Sequence, residues 1–318
     1  MNPAVEHCVP ERVYYPTHPP KCHIVLHLAG PEILIAGNST LKAAILAYHS
    51  QNIAGDETAN NDHVALAADL EVLHEAGCRF VSLATLVDAI FKCVSPAPES
   101  PLICLTFDDG CDYDVRTLEF PPHGIQPGLL QVMEEFVSRH GSTAQPGLHA
   151  TSFVIASPEA RRMIDSKSLF GSGHMSDDWW HAADAHQLLA IGNHGWDHNH
   201  PDLEKGQYAR GGFKMVDSFE HCQQQVVQAA EFIKAKTGHR PMFFAYPFGE
   251  SSEYIRCEYF PIHRDEHQCL AAIGTNPGLV TAQSNRWNLP RFVCGRDWSN
   301  PAELLATLGV KASPQTEI

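Results

Sequence analysis

Short apolar runs alternate with helical patterns along most of the chain, and this alternation constrains the fold more than any other feature. Runs that indicate buried strands occur at Ala44–Tyr48, Phe80–Ser82, Leu102–Phe107, Thr151–Ile155 and Met242–Tyr246. Helical spacing of apolar side chains occurs at Leu66–Leu73, Leu86–Ile90, Leu129–Val137, Ala182–Leu189, Phe219–Lys236 and Leu304–Leu308. Repeated strand-then-helix units predict an α/β protein with a mainly parallel sheet or barrel.

The 318 residues contain no internal repeat, no low-complexity tract and no linker that divides them into halves. We therefore predict one barrel with long loops, formed by residues 43–318, and an N-terminal extension, residues 1–42, packed on it. Two irregular segments rich in Gly, Pro and Ser, Cys111–Gln126 and Ala156–Asp178, directly follow predicted strands. Long loops at the carboxyl ends of strands are where α/β proteins place functional sites.

Composition excludes several classes of protein. Lys and Arg total 22 against 37 Asp and Glu, a formal net charge of −15 that repels nucleic acid and anionic lipid surfaces. No apolar run approaches the ~20 residues of a membrane-spanning helix, and the N-terminus lacks the basic-then-apolar order of a secretory signal. The ten cysteines form no Cys-x-x-Cys pair, so we expect reduced thiols in a cytoplasmic protein. The sequence leaves the oligomeric state open.

Two adjacent carboxylates follow a strongly apolar predicted strand. Leu102–Phe107 runs directly into Asp108, Asp109 and Gly110, and a turn at the glycine brings both acids to one cavity. Two carboxylates this close are costly unless a cation or a shared proton relieves their repulsion. A simple turn at the start of a loop is the alternative, but the apolar strand favours a buried site.

A pair of histidines follows another strand-like stretch. His194 and His198 are four residues apart, so one helical turn places both imidazoles on one side. Two histidines and one carboxylate leave metal positions open for water, which is typical of a catalytic rather than a structural site. His200 is the competing ligand, and a chance pair is the alternative in a chain with 20 histidines.

The last of these strands, Met242–Tyr246, ends in a turn formed by Pro247, Phe248 and Gly249. Backbone N–H groups exposed in such a turn are suited to stabilise an oxyanion. An ordinary strand followed by a turn is the alternative for this segment taken alone.

In combination, these segments resemble the polysaccharide deacetylase family, carbohydrate esterases that remove N-acetyl or O-acetyl groups. Thr106–Gly110 is similar to the first motif of that family, His194–His198 to its His-x-x-x-His motif, and Phe244–Gly249 to its third motif. Ile45–His49 and Leu289–Phe292 resemble the poly-N-acetylglucosamine deacetylase branch. The likeness covers most of the chain beyond the N-terminal extension.

The resemblance implies a distorted (β/α) barrel with its site at the carboxyl ends of the strands. It assigns Asp109, His194 and His198 as ligands of one divalent metal, with zinc expected and cobalt or nickel as alternatives. It makes Asp108 the general base, and it gives the backbone N–H of Phe248 the task of stabilising the oxyanion.

The sequence departs from the family pattern at two points. Where the pattern has an arginine that pairs with the base, this chain has Ala245. Arg291 or Arg240 is expected to replace that arginine, and we prefer Arg291 because it follows a strand-end pattern. The late Leu-x-His that supplies the general acid is missing, so His49 is our candidate, with a structural histidine as the alternative.

Aromatic side chains are candidates for sugar binding, because their faces stack on sugar rings. We expect Trp180, Trp196, Tyr246 and Trp298 to line the cleft, with core packing as the alternative for each.

The expected function is that of a metal-dependent deacetylase that hydrolyses an acyl amide of an amino sugar, taken as a small molecule or an oligosaccharide. Two alternatives stay open: hydrolysis of another linear C–N amide on the same barrel, and non-catalytic binding of carbohydrate or metal. The second is disfavoured because a binding protein has no need of a base at Asp108 beside the ligand Asp109.

Overall fold

The computed structural model describes residues 43–91, 100–204 and 208–311. The predicted packing of the extension 1–42 lies outside the described residues. The strands there are β1 Ala43–Tyr48, β2 Arg79–Phe80, β3 Leu102–Phe107, β4 Leu118–Phe120, β5 Gly124–Gln126, β6 Ala150–Val154, β7 Leu189–Asn193, β8 Phe243–Ala245, β9 Ala271–Ile273 and β10 Phe292–Val293.

The α-helices of the same part of the chain are α1 Asp62–Glu75, α2 Leu83–Phe91, α3 Leu129–His140, α4 Pro158–Ser168, α5 Trp180–Asp184, α6 Phe219–Cys222, α7 Ala229–Thr237, α8 Phe260–Ile262, α9 Arg264–His267 and α10 Pro301–Leu308. A π-helical turn, Gln223–Gln228, joins α6 to α7, and a second, Ile255–Tyr259, precedes α8.

A curled parallel sheet forms the centre of the molecule. Its strands lie in the order β10-β1-β3-β6-β7-β8-β9, with β2 also paired to β3. Leu289 bridges to Ile273 in β9, and Phe292–Val293 pairs with β1 shortly afterwards in the chain. The segment between them therefore links the two sides of the sheet, and the predicted α/β class and distorted barrel are confirmed.

The two faces of the sheet belong to separate parts of the core. Ile45, Cys104 and Phe153 point into the barrel, where α2 packs against them. Leu46 and Leu105 point outward to the helices that cover the sheet. Burial on both faces explains why these strands are continuous apolar runs rather than alternating patterns.

Helix ends follow the predicted signals at several places. Ser218 caps the helix that begins at Phe219, and Gly238 ends α7 with a φ of 92°. Asn300 caps α10 through its side chain, with Pro301 as the first helical residue. These side-chain oxygens accept hydrogen bonds from amides that have no partner within the helix.

Several predicted segments differ from the structure. The helix expected over Ala182–Leu189 ends at Asp184, because Leu189 already belongs to β7 and pairs with β6. The irregular segment Ala156–Asp178 contains α4, which starts at Pro158 after the N-cap Ser157. Proline at the first helical turn stabilises a helix start rather than breaking the chain. The other irregular segment, Cys111–Gln126, contains the hairpin β4–β5.

Within the described ranges, no helix is both long and apolar enough to cross a bilayer. The buried cysteines there are free thiols whose pKa is raised by burial; they are Cys78, Cys104, Cys111, Cys222, Cys269 and Cys294.

Candidate functional site

The segments that follow β1, β3, β7 and β8 meet at the carboxyl edge of the sheet. They surround a cavity of about 210 Å³, lined by His49, Asp108, Asp109, His194, His198, Phe248, Gly249, Thr275, Val293 and Arg296. A larger cavity of about 600 Å³ opens at the opposite, amino ends of β6, β7 and β8. It contains neither the acidic pair nor the histidine pair, so volume alone does not identify the site.

A strained turn positions the acidic pair at the end of β3. Asp109 has a φ of 75° and Gly110 a φ of 68°. A Cβ at Gly110 would lie 2.8 Å from the backbone of Val154, so only glycine fits there. Left-handed backbone at a non-glycine residue costs on the order of 1–3 kcal/mol and is typical of functional sites.

Asp109, His194 and His198 form a three-residue ligand set. One ligand atom of each lies within 4.8 Å of the others. The distances from Asp109 Oδ1 are 3.5 Å to His194 Nε2 and 3.1 Å to His198 Nε2. The structure thus brings together the three residues predicted to bind metal, whereas His200, the competing candidate, is not part of the set.

The orientation of both imidazoles fits a divalent ion. His194 Nδ1 donates a hydrogen bond to the Ala245 carbonyl at 2.9 Å, which leaves the lone pair of Nε2 facing Asp109. His198 Nε2 is buried and has no aligned hydrogen-bond partner among the described residues. Two imidazole nitrogens and one carboxylate are a donor set that zinc, cobalt and nickel accept.

The environment of Asp109 keeps it ionised. Burial works to raise the pKa of this carboxyl group, but the facing imidazoles of His194 and His198 outweigh it and hold the pKa well below its usual range. Gln51 Nε2 donates a hydrogen bond to the other carboxylate oxygen at 2.5 Å. Asp109 therefore has one oxygen fixed by the protein and one directed at the histidines.

Asp108 is held by Arg291, the arginine we preferred as the replacement. Two guanidinium nitrogens donate to the two carboxylate oxygens, each at 2.7 Å. Arg291 is fully buried, and its Nε donates to the Gly274 carbonyl. The structure thus brings together the two residues predicted to pair, and Arg240, the alternative, instead lines the larger cavity.

The pKa of Asp108 is lowered by its neighbours. Burial alone would raise the pKa, but the positive charge of Arg291 and the nearby His194 reverse the direction. The carboxylate is therefore ionised at neutral pH and sits beside the three ligand residues. An ionised carboxylate at this position can accept a proton from water.

His49 lines the cavity at the end of β1. Its backbone N–H donates to the buried carboxylate of Asp62 at 2.7 Å, and its Nδ1 has no partner among the described residues. The structure thus places the imidazole in the cavity, where a general acid is required. Its role as that acid stays a prediction.

The turn after β8 brings Phe248 to the mouth of the cavity. Phe248 has a φ of 56° and an exposed side chain, and its ring lies 5.0 Å from that of His198. A Cβ at Gly249 would overlap Thr275, which explains the glycine. The role of the Phe248 N–H as an oxyanion donor stays a prediction.

The expected sugar-binding aromatics do not line this cavity. Trp180 is completely buried and packs edge-on against Phe232. Trp298 is buried and donates to Asp69 at 2.9 Å. These two expectations are wrong, because a side chain enclosed in the core has no face free for a sugar ring.

Tyr246 and Trp196 need the same correction. Tyr246 is completely buried, and its hydroxyl donates to the Trp287 carbonyl at 2.8 Å. Trp196 is half-buried and directs its ring edge-on to Phe232 of α7. Both side chains pack toward covering helices or the core rather than into the cavity.

The sequence interpretation missed Gln51, Thr275 and Arg296, which contact Asp109 or line the cavity. Gln51 lies two positions beyond His49, so the end of β1 was a signal for it. The other two follow β9 and β10 in segments without a motif.

Comparison with known proteins agrees with this arrangement. The family model described as polysaccharide deacetylase matches residues 95–259, just over half of the chain. No curated protein matches the chain. The Streptococcus pyogenes deacetylase PplD, solved in complex with acetate, is 18% identical, with a TM-score of 0.55 over 87% of this chain and 100% of that one.

Two further solved structures have the same fold. IcaB from Ammonifex degensii is 15% identical, with a TM-score of 0.57 over 84% of this chain and 97% of its own. A de-N-acetylase from Aggregatibacter actinomycetemcomitans is 13% identical, with a TM-score of 0.55 over 83% of this chain and 99% of its own.

The family match over residues 95–259 includes Asp108, Asp109, His194 and His198. The chain therefore belongs to the polysaccharide deacetylase family and is a metal-dependent deacetylase.

Proposed function

We propose that the chain hydrolyses the N-acetyl group of an amino sugar, free or within an oligosaccharide. The observation that carries this proposal is the position of Asp108. Its carboxylate is ionised, oriented by Arg291 and adjacent to the ligand residue Asp109. A site that only bound metal or sugar would need no such base.

Asp109, His194 and His198 would hold the metal, with zinc expected and cobalt or nickel as alternatives. When bound, such an ion acts as a Lewis acid that polarises an acyl carbonyl and makes water a stronger nucleophile.

Different groups of the protein then carry out the proton transfers of the reaction. Asp108 accepts a proton from the attacking water, and Arg291 keeps the carboxylate in position during the transfer. The backbone N–H of Phe248 donates to the acyl oxygen as negative charge develops there. His49 gives a proton to the departing amine nitrogen, which otherwise leaves poorly as an anion.

Three considerations support an amino sugar as the substrate. Carbohydrates are the substrates implied by the family. The cavity of about 210 Å³ admits an acetamido group but not a complete oligosaccharide, so the sugar chain would remain outside. Acetate, bound in the S. pyogenes deacetylase, is the acid product expected here.

A substrate panel tests the proposal. The protein, reloaded separately with Zn²⁺, Co²⁺ or Ni²⁺, is incubated with N-acetylglucosamine, chitooligomers, oligomers of poly-N-acetylglucosamine and linear amides such as formamide. Free amine and acetate are measured together. We expect equal amounts of both from at least one sugar. Hydrolysis of linear amides alone would favour the other amide hydrolase, and no hydrolysis at all would favour a binding protein.

A further inference from the structure

The π-helical turn Gln223–Gln228 carries a completely buried amide side chain, Gln225. The helical spacing of this region predicts an uninterrupted α-helix, but the structure changes to π geometry between α6 and α7. Such turns are rare and often occur at functional sites. The contacts of the Gln225 side chain indicate what this turn does.

Gln225 binds the loop between the two histidine ligands. Its Oε1 accepts hydrogen bonds from the backbone N–H groups of Trp196 at 3.1 Å and Asp197 at 3.4 Å. Its Nε2 donates to Asp197 Oδ1 at 2.6 Å. A Cβ on Gly195 would lie 3.3 Å from Gln225 Oε1, so the glycine permits this close approach.

Asp197 extends these contacts to the other side of His198. It is buried, its Oδ1 also accepts the Asn199 N–H at 3.0 Å, and its Oδ2 accepts from Arg210 at 2.5 Å. We call Gln225, Asp197 and Arg210 the His198 clamp. The amides of residues 196, 197 and 199 all donate to it.

The backbone of His198 requires such support. His198 has a φ of 63° and Asn199 a φ of 45°, a left-handed pair that costs free energy for side chains larger than glycine. Without the clamp, the loop would relax toward ordinary backbone geometry. The imidazole of His198 would then turn away from Asp109.

We propose that Gln225 is a positioning residue that sets the metal affinity of the site by fixing His198 through Asp197. This inference rests on the metal site of the proposed function. Gln225 lies on the π-helical turn and does not contact His198, so its effect on this ligand is indirect.

The test compares Gln225→Met with Gln228→Met. The first keeps the side-chain length but removes every hydrogen bond to the loop. The second places the same side chain at an exposed position of the same π-helical turn. The Zn²⁺ dissociation constant is measured by chelator competition, at a temperature where circular dichroism shows all proteins folded. The absorption spectrum of the Co²⁺-loaded proteins reports ligand geometry.

We expect Gln225→Met to weaken Zn²⁺ binding by about 10- to 100-fold, as is usual when a group supporting a ligand is removed, and to alter the Co²⁺ spectrum. Gln228→Met should remain within about twofold of the wild type. A merely structural role would lower the melting temperature but leave the affinity of the folded protein unchanged, and that result would overturn the inference.

If Gln225→Met does not fold, Asp197→Asn tests the inference instead. It keeps the shape of the side chain but removes the charge that faces Arg210. Affinity reduced by about tenfold or more would support the clamp, and unchanged affinity would overturn it. Failure of the wild type to bind any of Zn²⁺, Co²⁺ and Ni²⁺ would overturn the proposed function as well, whereas equal binding by wild type and variants overturns this inference alone.

Discussion

Arg291 and Asp108 are 183 residues apart in the sequence and form a buried bidentate ion pair with both N–O distances at 2.7 Å. Arg291 reaches this position because the segment between Leu289 and Phe292 crosses from β9 to β1 and directs the guanidinium into the barrel. The segment that links the two sides of the sheet thus also orients the proposed base.

Arg291→Met should destabilise the protein and remove most activity. It leaves a carboxylate buried without its counter-charge, a change that costs about 3–5 kcal/mol. The free energy of unfolding in urea and kcat/KM are the measurements, with Arg240→Met as the matched control. The double variant Arg291→Met/Asp108→Leu should recover stability without activity. Equal effects of Arg291→Met and Arg240→Met would contradict this account of the pair.

His194→Ala should lose the bound metal, and His200→Ala should keep it. Of these two histidines, only His194 belongs to the ligand set around Asp109. The measurement is metal per chain by elemental analysis after reloading and desalting. We expect about one ion in the wild type and in His200→Ala, and almost none in His194→Ala. Loss of metal from His200→Ala but not from His194→Ala would show that His200, rather than His194, is the ligand.

His49→Ala should slow the hydrolysis of amides much more than that of activated esters. An amine needs a proton to leave, whereas 4-nitrophenolate does not. We expect a loss of at least about 100-fold on an N-acetyl substrate, typical for a general acid, and a loss of only a few-fold on 4-nitrophenyl acetate. The exposed substitution His239→Ala is the control. Equal losses on both substrates would rule out His49 as the acid.

Asp114→Asn should change how stability depends on pH. Burial raises the pKa of Asp114 from 3.8 to about 7, although Ser50 and Ser152 donate hydrogen bonds to its carboxylate. Between these values the folded state keeps a proton that the unfolded state has lost. Rising pH therefore destabilises the wild type by up to about 1.4 kcal/mol per unit through this group.

Urea unfolding of the metal-free proteins at pH 5, 6 and 7 measures this effect. The stability of Asp114→Asn relative to the wild type should increase with pH, while that of the exposed control Asp56→Asn should stay constant. A difference between Asp114→Asn and the wild type that does not vary with pH would mean that this carboxyl group titrates normally.

The parts of the site that are local in sequence could be predicted. Asp108 and Asp109 follow one apolar run, and His194 and His198 share one short loop, so their spacing already indicates their chemistry. The strand-then-helix order predicts the barrel for the same reason. Each strand and each helix is determined by residues that are close to one another in the sequence.

The parts decided by tertiary packing could not be predicted in the same way. The pairing of Arg291 with Asp108 depends on how the sheet curls. The sequence offered Arg291 and Arg240 as candidates, and only the strand-end pattern favoured Arg291. Trp180 and Trp298 lie close to motifs in sequence, but the covering helices enclose their rings. The sequence alone cannot distinguish a core tryptophan from one that binds sugar.

The steady-state rate of Asp108→Asn with its metal content determined on the same sample is the most direct test of the central claim. The substrate is the sugar that the wild type deacetylates best. We predict one metal ion per chain in both proteins, and a kcat for the variant lower by about 100- to 10,000-fold, because the base is lost while the ligands remain. A variant that retains both its metal and the wild-type rate would contradict the assignment of Asp108 as the base.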